Sequence, residues 1–294
     1  MKALLKLMDV KTLVAGMIPV VLGSVYSLYR FELFSHWHMA ILMIGMILMQ
    51  SCANMINDLF DYARGADGEV KADEKALASG EISPNQVRRI IAAFLMIDIV
   101  IVLYYSITVH WAILIIAILG ALIMYLYSAG SKPISYTSYG EVTSGLIMGL
   151  CVMATVVYIQ SGVFDFEVII VTLPTSIYIG TILLTNNISD HIEDVEAGRH
   201  TLPIRIGIER AENLWMFSCS SLWILTIAFA YLKYWPMESL IFVVALFPYA
   251  SVFSFKRIEK KVCNKGIMMA LIGKIGIRYH SALILGVIFW KLVH

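Results

Sequence analysis

Apolar residues run through this chain in long blocks, and polar residues gather in the gaps between them. A helix needs about 20 mostly apolar residues to cross ~30 Å of hydrocarbon. Nine blocks meet that length, at 12–30, 36–57, 88–107, 110–128, 141–161, 167–187, 213–232, 236–254 and 271–290. The pattern predicts an all-α membrane protein with nine transmembrane helices, organised as a single domain over residues 1–294. The gaps alternate in size. Those near 31–35, 108–109, 162–166 and 233–235 are tiny, whereas those at 58–87, 129–140, 188–212 and 255–270 are longer and hold nearly all the charge. Alternation puts all the long loops on one side of the membrane.

Composition agrees with the pattern. The chain is 60% hydrophobic and 15% charged, with a mean hydropathy of +0.80, whereas soluble domains are nearer half apolar and a quarter charged. A net charge of +1 with no basic domain gives no reason to expect a nucleic-acid partner. Cys52, Cys151, Cys219 and Cys263 lie far apart, so neither a metal-thiolate site nor a disulfide framework is expected. The first apolar run lacks a small-residue cleavage pattern and is expected to be a retained helix.

Basic residues choose the side. With a cytoplasmic N-terminus, 19 of the 22 lysines and arginines fall in the long loops or beside them, and only Arg30, Lys233 and Lys291 fall opposite. The positive-inside rule then places the long loops in the cytoplasm and the C-terminal His294 outside, in a multi-pass protein of the cell membrane.

Two of the long loops open on the same polar pattern. One reads Asn57-Asp58-Leu59-Phe60-Asp61, with Arg64, Gly65 and Asp67 following; the other reads Asn186-Asn187-Ile188-Ser189-Asp190, with Asp194 four residues on. Residues four apart share a helix face. Acids beside apolar spans are costly, about 2.5–3.5 kcal/mol each at the bilayer centre on insertion scales. One such loop is equally well a set of solvated helix ends; two on one side, with the same spacing, point to a site. Carboxylate and amide oxygens at this spacing suit Mg²⁺, which commonly bridges protein carboxylates to substrate phosphates. The candidate ligands are Asn57, Asp58, Asp61, Asp67, Asp190 and Asp194, with Asn186 adding a further amide oxygen. Arg64, Lys71, Lys75, Arg199 and Arg205 follow the clusters and suit phosphate oxygens, although topology alone also explains basic residues here. Lys256 to Lys265 have no acidic motif beside them in sequence and are expected to serve topology and lipid headgroups.

The remaining candidates are weaker. Asp98 is a lone acid in an apolar span, expected to face a hydroxyl such as Tyr104 or Tyr105. Glu141 follows Gly140 at a helix start, where the dipole favours a carboxylate. The histidines show no ligand spacing, and His191 is expected in exposed loop. Tyr125 and Tyr127 end an apolar helix, either as interfacial anchors or as phosphate-contacting phenols. A loose repeat relates the two halves: each has an Asn-x-x-x-Asp helix end, followed by Leu77-Ala78-Ser79-Gly80 in one and Thr201-Leu202-Pro203-Ile204 in the other.

These motifs resemble the UbiA superfamily of membrane prenyltransferases, and within it the branch that prenylates 1,4-dihydroxy-2-naphthoate. The likeness runs from Lys11-Thr12-Leu13 with Gly16, Pro19, Val20 and Gly23, through the first Asp-rich motif and Ser79-Gly80-Glu81-Ile82-Ser83, to Tyr127–Pro133 and Gly140-Glu141. It is most specific at the second motif with Gly198, Thr201-Leu202, Arg205 and Gly207. The wider superfamily commonly carries a second Asp where this chain has Gly65, with Asp67 two residues later; the naphthoate branch shares that look. Either Asp58 or Asp67 is then the second ligand of the first motif. The resemblance implies nine helices around a central cavity, with Asn57, Asp61, Asp190 and Asp194 catalytic through Mg²⁺ or Mn²⁺. It implies an isoprenyl diphosphate donor held by Arg64, Lys75, Tyr127, Asn186, Arg199 and Arg205, and an aromatic acceptor. A naphthoate acceptor would lose its carboxylate; hydroxybenzoate, homogentisate or haem are other acceptors of the superfamily. A divalent-cation or organic-anion transporter is the competing class, but transporters bind near the midplane on broken helices, and these acids lie at helix ends. A phosphotransferase acting on nucleotide-linked alcohols would leave the second cluster without a role.

Overall fold

The computed structural model describes residues 2–65, 75–246 and 265–294. Among these residues there are helices and no strands. The order is α1 (Lys2–Met8), α2 (Val10–Phe31), α3 (His36–Arg64), α4 (Pro84–Thr108), α5 (Ala112–Ser128), α6 (Gly140–Ser144), a π-helical stretch (Gly145–Cys151), α7 (Val152–Ser161) and α8 (Glu167–Val171). It continues with α9 (Leu173–Ser189), α10 (His191–Glu196), α11 (Leu202–Ile206), α12 (Ile208–Tyr231), α13 (Ser239–Leu246) and α14 (Lys265–Val293).

Seven helical runs among the described residues are long and apolar enough to cross a membrane: Thr12–Phe31, His36–Arg64, Pro84–Thr108, Gly140–Ser161, Glu167–Ser189, Ile208–Tyr231 and Lys265–Val293. They match seven of the nine apolar blocks. The fourth block is α5, a shorter apolar helix of 17 residues. The eighth begins with α13, and the rest of it lies outside the described residues. Many large apolar side chains face outward on these helices, Val100, Ile107, Ile118 and Ile224 among them, while some polar ones, such as Ser51, Asp61, Asp98 and Thr185, are buried. So apolar an exposed surface suits contact with lipid.

The chain divides into two compact units. One comprises Met1–Val20 and His36–Ile134, the other Val21–Ser35 and Ser135–His294. In the first unit α3 packs on α1, α4 and α5. Ser83 and Gln86 start α4 with a reciprocal capping box, and Pro84 supplies a first-turn residue that needs no hydrogen-bond donor. Antiparallel α3 and α4 meet at seven-residue intervals along both helices. His38 Nδ1 lies 3.1 Å from the Tyr105 hydroxyl, a Cβ on Gly45 would lie 3.4 Å from Asp98 Oδ1, and the Cys52 thiol donates to the Ile91 carbonyl at 3.8 Å. Tyr105 is thus taken by His38, and Asp98 sits opposite Gly45 instead of the expected tyrosine.

In the second unit α9 is central and packs on α6, the π-helical stretch, α12 and α14. Buried Trp215 on α12 donates its indole N–H to the Thr185 hydroxyl of α9 at 2.8 Å, and Tyr279 of α14 meets the Thr226 hydroxyl of α12 at 2.9 Å. Small residues let α9 come close: a Cβ on Gly149 would lie 2.5 Å from Ser176 Cα, and one on Gly180 would lie 2.9 Å from the Glu141 carbonyl oxygen.

Candidate active site

The first polar cluster is built at the end of α3. Four-residue spacing puts Asn57 and Asp61 on one face, and the Asn57 amide donates to Asp61 Oδ2 at 3.1 Å. The Asn57 amide oxygen accepts from the Ser128 hydroxyl at 3.1 Å, so α5 orients it. Asp61 is 4% exposed. Its carboxylate lies 3.7 Å from Lys75 Nζ and 3.9 Å from Arg64 Nη1, and Lys75 also lies 3.2 Å from Asp58. Arg64 donates to the Ser128 and Gly130 carbonyls at 2.7 and 3.0 Å, at the C-terminal end of α5 where a cation is favoured. It also lies over the Phe60 ring, 5.3 Å from its centroid. Tyr127 is half-buried, one residue before Ser128. The structure therefore brings together Asn57, Asp58, Asp61, Arg64 and Lys75; Asp67 and Lys71 lie outside the described residues.

The second cluster forms where α9 ends. Asp190 leaves helical geometry, but its N–H donates to the Asn186 carbonyl and the Asp194 N–H donates to the Asp190 carbonyl, at 2.9 and 2.8 Å, so the four-residue spacing survives the break. The loop expected after Asn187 instead holds two short helices, α10 and α11. Asp194 is 4% exposed. Its carboxylate lies 3.4 Å from Arg199 Nη1 and accepts from the Thr201 hydroxyl at 3.4 Å. Burial raises its pKa above the ordinary aspartate value, with the Arg199 charge opposing and the Asp190 charge reinforcing the rise. Arg199 lies over the Tyr136 ring at 4.7 Å. Asn186 is half-buried on the last turn of α9. Arg205 donates to the Ser138 hydroxyl at 2.8 Å, tying α11 to the segment before α6 and not to the acids.

Two participants escaped the sequence. Lys265, expected to serve only topology and headgroups, places its ammonium 2.5 Å from Asp190 Oδ2. Glu141, expected as a dipole-favoured helix start, is buried and accepts from the Asn187 amide at 2.9 Å. Nothing local in the sequence marked either contact, because the partners lie 75 and 46 residues apart. His191 is half-buried at the start of α10, with Nδ1 3.0 Å from the Ile188 carbonyl oxygen.

Among the described residues no three His, Cys, Asp or Glu side chains converge as a ready metal-ligating group. Basic residues hold the carboxylates pairwise instead. The donors nevertheless fit a hard cation: all are carboxylate or amide oxygens, and neither cluster contains sulfur or imidazole ligands.

Buried acids and amides at the ends of apolar helices, each cluster carrying its own lysine and arginine, mark a multi-pass membrane protein with charged groups gathered at its helix ends. The chain belongs to the UbiA prenyltransferase family, whose pattern matches residues 16–272, and it is a prenyltransferase. It is 31% identical over 216 residues to a 1,4-dihydroxy-2-naphthoate octaprenyltransferase of Bacillus subtilis, covering 72% of this chain and 69% of that protein. An enzyme of the same description from Haemophilus influenzae is 26% identical over 176 residues, 58% of this chain and 57% of that one. The fold is that of solved relatives. A digeranylgeranylglyceryl phosphate synthase matches with TM-score 0.68 at 24% identity, covering 98% of both chains. A UbiA homolog from Archaeoglobus fulgidus bound to DMAPP and Mg²⁺ matches with TM-score 0.69 at 17% identity, covering 97% of this chain and 99% of that one.

Proposed function

We propose that this enzyme transfers a polyprenyl group from an isoprenyl diphosphate to 1,4-dihydroxy-2-naphthoate, releasing diphosphate and CO₂. The observation that carries the acceptor is the 31% identity to a naphthoate octaprenyltransferase over 72% of the chain. The donor reading is supported by paired oxygen-donor clusters, each with its own basic residues. Nine helices around a central cavity, one catalytic domain and cytoplasmic acidic loops complete the reading.

Asp58, Asp61, Asp190 and Asp194, with Asn57 and Asn186, would hold Mg²⁺ or Mn²⁺. The bound metal supplies Lewis-acid stabilisation of the charge that develops on the departing diphosphate. Lys75, Arg64, Arg199 and Lys265 add fixed positive charge at the same helix ends, so leaving-group charge is met without solvent reorganisation. The allylic C–O bond breaks with its electron pair going to diphosphate. A ring carbon then forms the new C–C bond, and the electron pair of the ring–carboxylate bond restores aromaticity as CO₂ departs. Surrounding apolar helices keep water from the allylic cation.

Purified enzyme given geranylgeranyl diphosphate and a panel of acceptors tests this. Dihydroxynaphthoate should be consumed with one CO₂ and one diphosphate per product. Prenylation of 4-hydroxybenzoate but not dihydroxynaphthoate would overturn the acceptor. Diphosphate release without a prenylated ring would overturn the transfer. Arg205→Ala distinguishes its role: a raised acceptor KM marks a carboxylate contact, a raised donor KM a diphosphate contact.

A further inference from the structure

The second cluster contains a carboxylate that the proposed chemistry leaves unassigned. Glu141 is 6% exposed. One oxygen accepts from the Asn187 amide at 2.9 Å, and the other is buried with no hydrogen-bond partner among the described residues. A buried carboxyl oxygen without a partner is expensive, and the Asn187 amide is the side-chain contact that offsets the burial. Such an arrangement is not what helix-start electrostatics alone would build.

The backbone around Glu141 is shaped to hold it there. α6 runs into the π-helical stretch Gly145–Cys151, and π-helical turns are rare and concentrate at functional sites. A Cβ on Gly145 would lie 2.5 Å from the Ser176 carbonyl oxygen, one on Gly149 2.5 Å from Ser176 Cα, and one on Gly180 2.9 Å from the Glu141 carbonyl oxygen. Three glycines therefore bring α6 and its π-helical continuation into backbone contact with α9. Two turns beyond Gly180 on α9 stands Asn187, on Glu141.

The consequence falls on the end of α9. The helix stops at Ser189, and Asp190 has already left helical geometry. Last turns fray, because their carbonyls lack partners in the helix. Asn186 immediately precedes Asn187, and Asp190 follows one turn later, bonded to the Asn186 carbonyl at 2.9 Å. Anchoring the Asn187 amide to a buried carboxylate on another helix fixes the rotation of that turn.

We propose that Glu141 is a positioning residue of the second cluster: through Asn187 it sets the direction in which Asn186 and Asp190 present their oxygens to the metal. This rests on the metal-binding role proposed above. Metal affinity commonly falls 10–100-fold when a partner that orients a ligand is removed.

The test uses the full-length protein in detergent and two readouts: Mn²⁺ affinity by electron paramagnetic resonance, without substrate, and the prenyl-transfer rate against Mg²⁺ concentration. Glu141→Gln keeps an acceptor for Asn187 and should bind Mn²⁺ within about threefold of wild type. Glu141→Ala and Asn187→Leu should each weaken Mn²⁺ binding about tenfold or more and raise the Mg²⁺ needed for half-maximal rate, with the acceptor KM unchanged. Glu141→Gln combined with Asn187→Asp exchanges donor and acceptor and should recover affinity that Asn187→Asp alone loses. Unchanged Mn²⁺ affinity in Glu141→Ala, or loss of rate with Mn²⁺ affinity intact, overturns the proposal. If Glu141→Ala does not fold, the exchange pair decides: no recovery overturns it. Wild type that binds no Mn²⁺ and needs no metal would overturn the metal reading itself, a result distinct from any ranking among variants.

Discussion

The ammonium of Lys265, the first residue of α14, lies 2.5 Å from the carboxylate of Asp190, the residue that ends α9. Lys75 stands in the same relation to the first cluster, 3.2 Å from Asp58 and 3.7 Å from Asp61. Each acidic cluster thus has one lysine, supplied to the first by the segment that follows it and to the second by a helix 75 residues further along the chain. Asp190's side chain is 14% exposed and that of Lys265 47%, so the carboxylate is sheltered while the ammonium is partly screened by solvent.

Lys265 should therefore contribute to donor binding. Loss of a charge-assisted contact costs about 1.5 kcal/mol or more, which is roughly tenfold. Lys265→Gln should raise the KM for the isoprenyl diphosphate by about that factor and leave the acceptor KM unchanged. Steady-state kinetics with each substrate varied in turn checks this. Equal changes in both constants would mean that Lys265 only holds the end of α9.

Removing the metal or its ligands should be far more damaging. Excess chelator should abolish transfer, and Mg²⁺ should restore it. Asp61→Ala and Asp190→Ala should each reduce turnover at least ~100-fold, since what is lost is stabilisation of transition-state charge. The variants should still elute as folded protein, because both acids sit at helix ends and not in an apolar contact. Full rates in chelator would contradict the metal-assisted mechanism.

The two acidic clusters were legible in the sequence because four-residue spacing is a local property of a helix. The contacts that complete them were not. Glu141 and Asn187 are 46 residues apart, and Lys265 and Asp190 are 75 apart; only the packing of helices brings each pair together. Asp98 shows the same limit. Its neighbourhood is set by the antiparallel register of α3 and α4, which pairs Tyr105 with His38 and leaves Asp98 facing Gly45. Apolar block lengths gave the helices well, because crossing a membrane fixes a minimum length. They missed the short helices α10 and α11, whose few residues carry no long period.

The close approach of α9 to the π-helical stretch makes a stability prediction. A Cβ at Gly149 meets Ser176 backbone, which has no flexible end to move. Gly149→Ala should destabilise the protein by about 1–3 kcal/mol through overpacking, read as a lower thermal midpoint in detergent. Gly120 on α5 has open space where its Cβ would go. Gly120→Ala should be neutral or stabilising by up to about 1 kcal/mol, because alanine favours the helix. An equal response at both positions would remove the role assigned to the close contact.

Orientation in the membrane can be tested from the charges at the opposite end of the helices. Arg30 pairs with Asp165 and Glu167 at 3.4 and 2.7 Å, and Lys291 with Glu32 at 3.5 Å. Two of the three cations expected outside, Arg30 and Lys291, are thus matched by acids. The positive-inside rule counts lysine and arginine, not net charge, so these pairs leave the 19-to-3 division intact. In a variant with its four cysteines replaced, Met237→Cys should react with a membrane-impermeant maleimide in intact cells. Glu193→Cys, exposed on α10 beside the second cluster, should react only after the cells are opened. Labelling of Glu193→Cys from outside would place the acidic loops on the wrong face for the proposed topology.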